Sequence, residues 1–395
     1  MDKQRKVYLD YAATTPISSE VYREMLDAYT KYYGNNSSLY TPGREANSAL
    51  EEARAKIAKA INAEPDEIYF TSGGSESDNW AIKGIARANR DKGNHIITSV
   101  IEHPAILEAC KSLEKEGFRV TYVPVDEKGV VNYAEIIKSI CPDTILISIM
   151  TANNEVGTLQ PIRAISELAK GNDIVFHTDA VQAVGNISID VKEIGVDSLS
   201  LSAHKFYGPK GVGALYVRKG VKIEKLIDGG NQEFGKRAGT VNVPECVGMG
   251  KAIEIACSNI EEDTKYLKTI RRYFLKTISE KIHNIALNGH TTQRIANNIS
   301  ISFEGIEGEA LVLLLDKEGV YVSTSSACAS ESLKPSHVLK AMGLSDEEAR
   351  STIRFTIGKS TTKDDVDYVV ETVRKCVKKL RSISAIRIYK NKVEL

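Results

Sequence analysis

The chain has 395 residues, of which 42% are hydrophobic and 26% charged, a globular composition that excludes wholesale disorder. Lys+Arg and Asp+Glu are both 52, so the formal net charge is zero and overall charge recommends neither nucleic acid nor a membrane surface as partner. At roughly 150 residues per domain the length allows two or three units. No apolar run approaches the roughly 18 residues that span a bilayer, and no signal-peptide core follows Met1-Asp2-Lys3-Gln4-Arg5-Lys6. The cysteines (Cys110, Cys141, Cys246, Cys257, Cys328, Cys376) are dispersed without a C-x-x-C pair, which argues against a disulfide framework or zinc ribbon and fits a reduced cytoplasmic setting.

In chain order, strand patterns are expected at 67–70, 95–100, 118–124, 144–150, 174–177, 198–201 and 213–217. Helical patterns are expected at 76–88, 105–117 and 133–140 between them. Such alternation means βαβ units and a mostly parallel sheet with helices on both faces. After about residue 255 the texture changes. A charged amphipathic helix is expected at 262–281, strands at 298–303 and 320–323, and helices at 346–353 and 363–380. This α+β layout fits a smaller second domain, reached without a Gly/Ser or Pro-rich linker. The expected division is 15–255 for the large domain and 256–395, with 1–14, for the small one.

Common nucleotide and metal signatures are missing. There is no G-x-x-x-x-G-K-[ST], no H-E-x-x-H and no G-x-S-x-G, and Gly248-Met249-Gly250 fails as a dinucleotide fingerprint because Ile253 stands at the third glycine position. What remains is a set of reactive side chains that each follow an expected strand. Lys205 ends Ser202-Ala203-His204-Lys205, where open α/β sheets place ligands. A desolvated lysine there is a candidate Schiff-base amine, although an exposed surface lysine fits the same position. Asp179 in His177-Thr178-Asp179-Ala180-Val181-Gln182 is either a helix cap or the partner of a protonated ring nitrogen. Thr71-Ser72-Gly73-Gly74-Ser75 leads into a helix start suited to phosphate, or is merely a cap. His103, after Ile101-Glu102, is either a ring-stacking imidazole or a loop histidine. Parallel strand ends converge on one edge, so the set is more informative than its members.

The ordered set resembles the cysteine desulfurases of the NifS/IscS type, pyridoxal 5'-phosphate enzymes of fold type I related to class V aminotransferases. The resemblance runs from Tyr8-Leu9-Asp10-Tyr11-Ala12-Ala13-Thr14-Thr15-Pro16 through Asn153-Asn154-Glu155-Val156-Gly157 and Arg237-Ala238-Gly239-Thr240 to Ser326-Ala327-Cys328, Pro335-Ser336-His337 and Arg354-Phe355-Thr356. It implies an α/β fold, with a mostly parallel central sheet plus a smaller α+β domain. It implies that Lys205 holds the cofactor covalently and moves the substrate Cα proton, that His103 stacks on the ring and assists proton transfer, that Asp179 pairs with the ring nitrogen and that Gln182 contacts the ring oxygen. Gly74, Ser75, Ser202 and His204 would hold the phosphate. Thr240 would reach the phosphate of a second subunit, implying a homodimer. Asn154 and Arg354 would orient the substrate, L-cysteine, and a bidentate arginine suits its carboxylate.

Cys328 sets the reaction that the resemblance implies. Its neighbours, Ser325-Ser326-Ala327 and Ala329-Ser330-Glu331-Ser332, are small and polar. A thiolate there would take sulfur from L-cysteine, leave alanine, and carry a persulfide to an acceptor protein such as an iron–sulfur scaffold or to tRNA or cofactor thiolation. A structural turn cysteine is the plain alternative. A selenocysteine lyase or class V aminotransferase with an incidental Cys328, and a non-catalytic scaffold, are the rival functions. The chain departs from the family pattern at Asn36, Tyr40, Gly74-Ser75, Asn231, Phe234 and Thr324-Ser325, and its tail 386–395 matches no docking segment.

Overall fold

The computed structural model describes residues 5–324, 334–384 and 393–394; Cys328 and its immediate neighbours lie outside these. Its strands are β1 (Val7–Tyr8), β2 (Ile68–Thr71), β3 (His95–Ser99), β4 (Arg119–Val123), β5 (Thr144–Ser148), β6 (Val175–Asp179), β7 (Ser198–Ser202), β8 (Gly213–Val217), β9 (Ile285–Asn288), β10 (Asn298–Phe303), β11 (Val320–Tyr321), β12 (Ser323–Thr324), β13 (Thr352–Thr356) and β14 (Val393–Glu394).

A seven-stranded sheet has the order β2-β8-β7-β6-β5-β3-β4. β4, β3, β5, β6 and β7 pair in parallel, while β8 is antiparallel to both β7 and β2. The expectation of a mostly parallel sheet therefore holds, with β8 reversed. Side chains alternate between the two faces. Ile97, Ile147, Phe176, Leu199 and Leu201 bury against the helices Ile162–Gly171 and Val243–Ser258. Ile96, Leu146, Leu215 and Val217 bury against Trp80 and Ile85 of the helix Gly74–Ala88 and Leu113 of Pro104–Lys115. Each face carries its own apolar layer, as a doubly covered sheet requires.

The helix Val243–Ser258 is followed, after Asn259, by Ile260–Lys281, so an almost continuous helical run joins the two halves. The second sheet, β12-β13-β10-β9-β14, packs Ile299, Ile301, Ile353 and Phe355 against Phe274 of Ile260–Lys281 and Val370 of Lys363–Ile383. β1 pairs in parallel with β11 and brings the N-terminal segment into this second core.

Two expected elements are corrected. The helix expected over 346–353 stops at Arg350. Ser345 and Glu348 form a capping box that starts a helix of one turn, and Thr352–Thr356 is a buried strand. The alternation of Ile353 and Phe355 with Thr352, Arg354 and Thr356 is a period-2 signal. The strand expected over 320–323 is two strands, because β11 pairs with β1 while β12 pairs with β13. The helices Ser19–Lys31, Thr41–Ile61 and Gly308–Lys317 and the strand β9 were not expected. No helix among the described residues is long and apolar enough to cross a membrane.

Candidate active site

The carboxyl ends of β2, β3, β5, β6 and β7 open onto one cavity of about 410 Å3, which also takes in Arg354 from the second sheet. Gly74, Ser75, His103, Asn154, Asp179, Gln182, Ser202, His204, Lys205 and Arg354 all line it, joined by Ala12, Ala13, Asp78, Met150 and Val181. Position outside the carboxyl ends of parallel strands is where this architecture binds ligands.

Each lining group has a local cause. β2 ends in a turn at Gly73, whose φ of 151° favours glycine, and the long helix Gly74–Ala88 starts there. A Cβ on Gly74 would lie 2.8 Å from the Val181 side chain, so the helix approaches the turn after β6 only because that atom is absent. The first-turn N–H groups have no helical acceptor and face the cavity beside Ser202 and His204, a cradle suited to a phosphate. His204 Nδ1 lies 3.2 Å from Thr14 Oγ1, and burial with Lys205 and Lys210 nearby pushes its pKa down to about 4.

His103 caps the helix Pro104–Lys115. Its Nδ1 accepts the Ala105 N–H at 3.2 Å, which leaves Nε2 to carry the proton of the neutral ring. Burial lowers its pKa and keeps it neutral, against the pull of Asp179. Asp179 ends β6 and accepts the Val181 N–H at 2.9 Å. Burial raises its pKa, while His103, that N–H and Lys205 draw it back down. Lys205 closes the 3-10 turn after β7, and its Nζ donates to Ala12 O at 2.5 Å and Ala13 O at 2.8 Å. Gln182 Nε2 donates to the same Ala12 O at 3.0 Å.

Asn153 builds the loop after β5. Its Oδ1 accepts the N–H groups of Glu155 and Val156 at 2.9 and 3.0 Å, which presents Asn154 to the cavity. Arg354 Nη1 donates to Asn154 O at 3.1 Å and Nη2 to Asp10 Oδ1 at 2.9 Å. Its Nε is buried without a hydrogen-bond partner. Asp10 and Asp78 were not singled out from the sequence. Asp10 sits in the quoted segment Tyr8 to Pro16, and its pairing with Arg354 joins residues 344 positions apart.

Thr240 is exposed and does not line the cavity of its own chain, and Cys328 lies outside the described residues. The segment before Thr240 is held by a buried pair, however. Arg54 Nη1 and Nη2 donate to Glu233 at 2.7 and 2.8 Å, and Glu233 also accepts the Phe70 N–H. Glu233 and Phe234 both have left-handed φ (46° and 56°), a strained pair for non-glycine residues that this anchor holds in place. The Phe234 ring packs on Tyr69 and under the Arg54 guanidinium. Glu233→Ala, which leaves the buried Arg54 with only Glu51 as an ion-pair partner, is expected to cost about 3 kcal/mol in denaturant unfolding, the low end for a broken buried pair; a loss under about 1 kcal/mol would show that the pair is not an anchor.

A phosphate cradle, an amine on one strand end and a buried carboxylate on its neighbour define a pyridoxal 5'-phosphate enzyme of fold type I. The residues present fit that cofactor: Ser75, Ser202 and His204 line the cavity beside the start of the helix Gly74–Ala88, where a phosphate can be held, and Asp179 is a buried acid able to face a ring nitrogen. The aminotransferase class-V family matches residues 7–369. The chain is similar to cysteine desulfurase IscS of Dictyoglomus turgidum, at 55% identity over 96% of this chain and 97% of that protein. Among solved structures it is similar to a NifS-like protein (TM-score 0.90, 41% identity, 95% of this chain and 100% of that one). It is also similar to SspA in complex with cysteine (TM-score 0.78, 38% identity, 89% and 98%). The chain belongs to the class-V aminotransferase family, and within it to the cysteine desulfurases of the NifS/IscS type.

Proposed function

We propose that this cavity removes the sulfur of L-cysteine, giving L-alanine and a persulfide on Cys328. The bound cofactor supplies an electron sink for the charge that develops when the Cα proton leaves. The chain's own groups do the rest. Lys205 Nζ would hold the cofactor through its aldehyde carbon and would be the base for the Cα proton. Asp179 would keep the ring nitrogen protonated. Gln182 would contact the ring oxygen, and Ser75, Ser202, His204 and the Gly74 N–H would hold the phosphate. His103 would cover the ring and offer the Nε2 proton. Arg354, kept flat by Asp10 and Asn154 O, takes the substrate carboxylate, with Asn154 beside it.

One observation carries the assignment of Cys328: both ends of the segment that contains it are tied to the substrate side of the cavity. Ser323 of β12 pairs with Arg354 of β13. Beyond the segment, the Ser336 hydroxyl donates to Glu155, next to Asn154, and His337 Nε2 bonds Glu102 O at 3.0 Å, next to His103. Cys328 is four Cα–Cα steps from Thr324, a covalent reach of about 14 Å at most. The Cys328→Ser protein is expected to keep the cofactor's visible absorption but to release no sulfide from L-cysteine. Sulfide production at the unsubstituted rate would remove Cys328 from the reaction.

A homodimer belongs to this reading. Tyr22, Leu26 and Tyr29 recur at helical spacing on Ser19–Lys31 and are 52–58% exposed, and Tyr33, Leu39 and Tyr40 of the segment that follows are exposed as well. An apolar area of this kind calls for a cover, and a second copy would bring Thr240 to the neighbouring phosphate. The sulfur acceptor is a protein such as an iron–sulfur scaffold or a thiolation partner. The five described cysteines are all unbridged, which supports a cytoplasmic location. The two apolar cores and the break at Asn259 support a division into 15–255 and 256–395 with 1–14.

A further inference from the structure

A second buried acid lies under the cavity. β7 reads Ser198-Leu199-Ser200-Leu201-Ser202 and all five residues are buried. A strand covered on both sides is ordinarily apolar throughout. Here the leucines join the core beneath, while the serines share a face with Leu215 and Val217, the face that the helix Gly74–Ala88 covers. Register places Asp179 beside Ser200 and His177 beside Ser198 on that same face. Buried polar groups need partners, and these form a row. Ser148 Oγ lies 2.9 Å from His177 Nδ1, His177 Nε2 lies 3.0 Å from Ser200 Oγ, and the row ends beside the carboxyl of Asp78 on the overlying helix. Asp78 is 1% exposed, lines the cavity, and its Oδ1 has no hydrogen-bond partner.

Where two buried carboxyls share a site, the charge on the first holds the proton on the second. Their surroundings differ. Asp179 faces His103 and Lys205 and accepts the Val181 N–H. Asp78 faces the Ser200 hydroxyl and two further acids, Asp179 and Glu102. His177 is neutral, because burial takes its pKa down to about 3, and burial takes Glu102 up to about 8. We propose that Asp78 keeps a proton beside Asp179, so that Asp179 alone carries charge under the ring nitrogen. Asp78 is a positioning residue: it acts through Asp179 and not on the substrate. The inference rests on the assignment of Asp179 to the ring nitrogen made above.

Infrared difference spectroscopy of the holoenzyme tests it at neutral pH. The unsubstituted protein minus Asp78→Asn should show the loss of one carboxylic-acid C=O band, separate from the band removed by Glu102→Gln. The amide is a neutral match for the protonated acid. The pH midpoint of the cofactor's visible absorption should therefore move by less than about 0.3 unit in Asp78→Asn, and fall by about one unit in Asp78→Ala, where water enters and solvates Asp179. Loss of a carboxylate band in place of the acid band would overturn the proposal. So would an Asp78→Asn midpoint displaced as far as that of Asp78→Ala, or an unmoved midpoint in Asp78→Ala. An Asp179→Asn holoenzyme whose midpoint equals that of the unsubstituted protein would overturn the Asp179 assignment instead, while the carboxyl band would still report where the proton sits.

Discussion

Replacing Lys205 with alanine is expected to lower alanine production from L-cysteine by about 10⁴-fold, the upper range for loss of a positioned acid–base group. The amine is tied to two carbonyls, Ala12 O and Ala13 O, and sits beside Asp179 at the carboxyl edge of the sheet. Among the described residues, no second lysine lines that cavity. Removing it deletes both the covalent hold on the cofactor and the base at Cα, so visible absorption is lost along with turnover. The fold should survive, because the two freed carbonyls border an open cavity and can bind water. Thermal unfolding within a few degrees of the parent, combined with lost absorption, is the expected pair of results. A variant that kept both colour and turnover would place the reactive amine elsewhere.

Asp179→Asn is the second large effect, with turnover lower by about 10²–10³-fold, the typical cost of removing one electrostatic partner of developing charge. Asn is nearly the same size, so the turn closed by the Val181 N–H should persist. The phosphate cradle of Gly74, Ser75, Ser202 and His204 is untouched, and the cofactor should still bind. What changes is the proton on the ring nitrogen, since a neutral amide does not favour it. The check is an apparent cofactor Kd within about tenfold of the parent, roughly 1.4 kcal/mol, alongside the fall in turnover. Equal losses in both would mean that Asp179 mainly shapes the cavity.

The catalytic edge is written in short stretches of sequence, each a strand followed by a polar turn. Thr71 to Ser75, Glu102-His103, His177 to Gln182 and Ser202 to Lys205 converge because parallel strands all end on one side. Arg354 was visible only through the family resemblance, and the period-2 pattern of Thr352 to Thr356 was masked by the charged one-turn helix before it. Asp78 escaped notice because its meaning is tertiary. On the helix it is one polar residue among several, and only the packing of that helix onto the serine face of β7 buries it against Asp179. Ser198-Leu199-Ser200-Leu201-Ser202 was nevertheless a signal, since regular serines in a doubly covered strand announce a buried polar row. The anchor between Arg54 and Glu233 joins residues 179 positions apart and had no local trace.

The reaction stands or falls on where the sulfur goes. Purified holoenzyme should be mixed with one equivalent of L-cysteine without reductant, the thiols trapped, and the peptide containing Cys328 weighed. The expected outcome is one added sulfur atom on Cys328 for each alanine formed. Alanine formed with sulfur on another cysteine, or amino-group transfer with no alanine and an unchanged Cys328, would contradict the account.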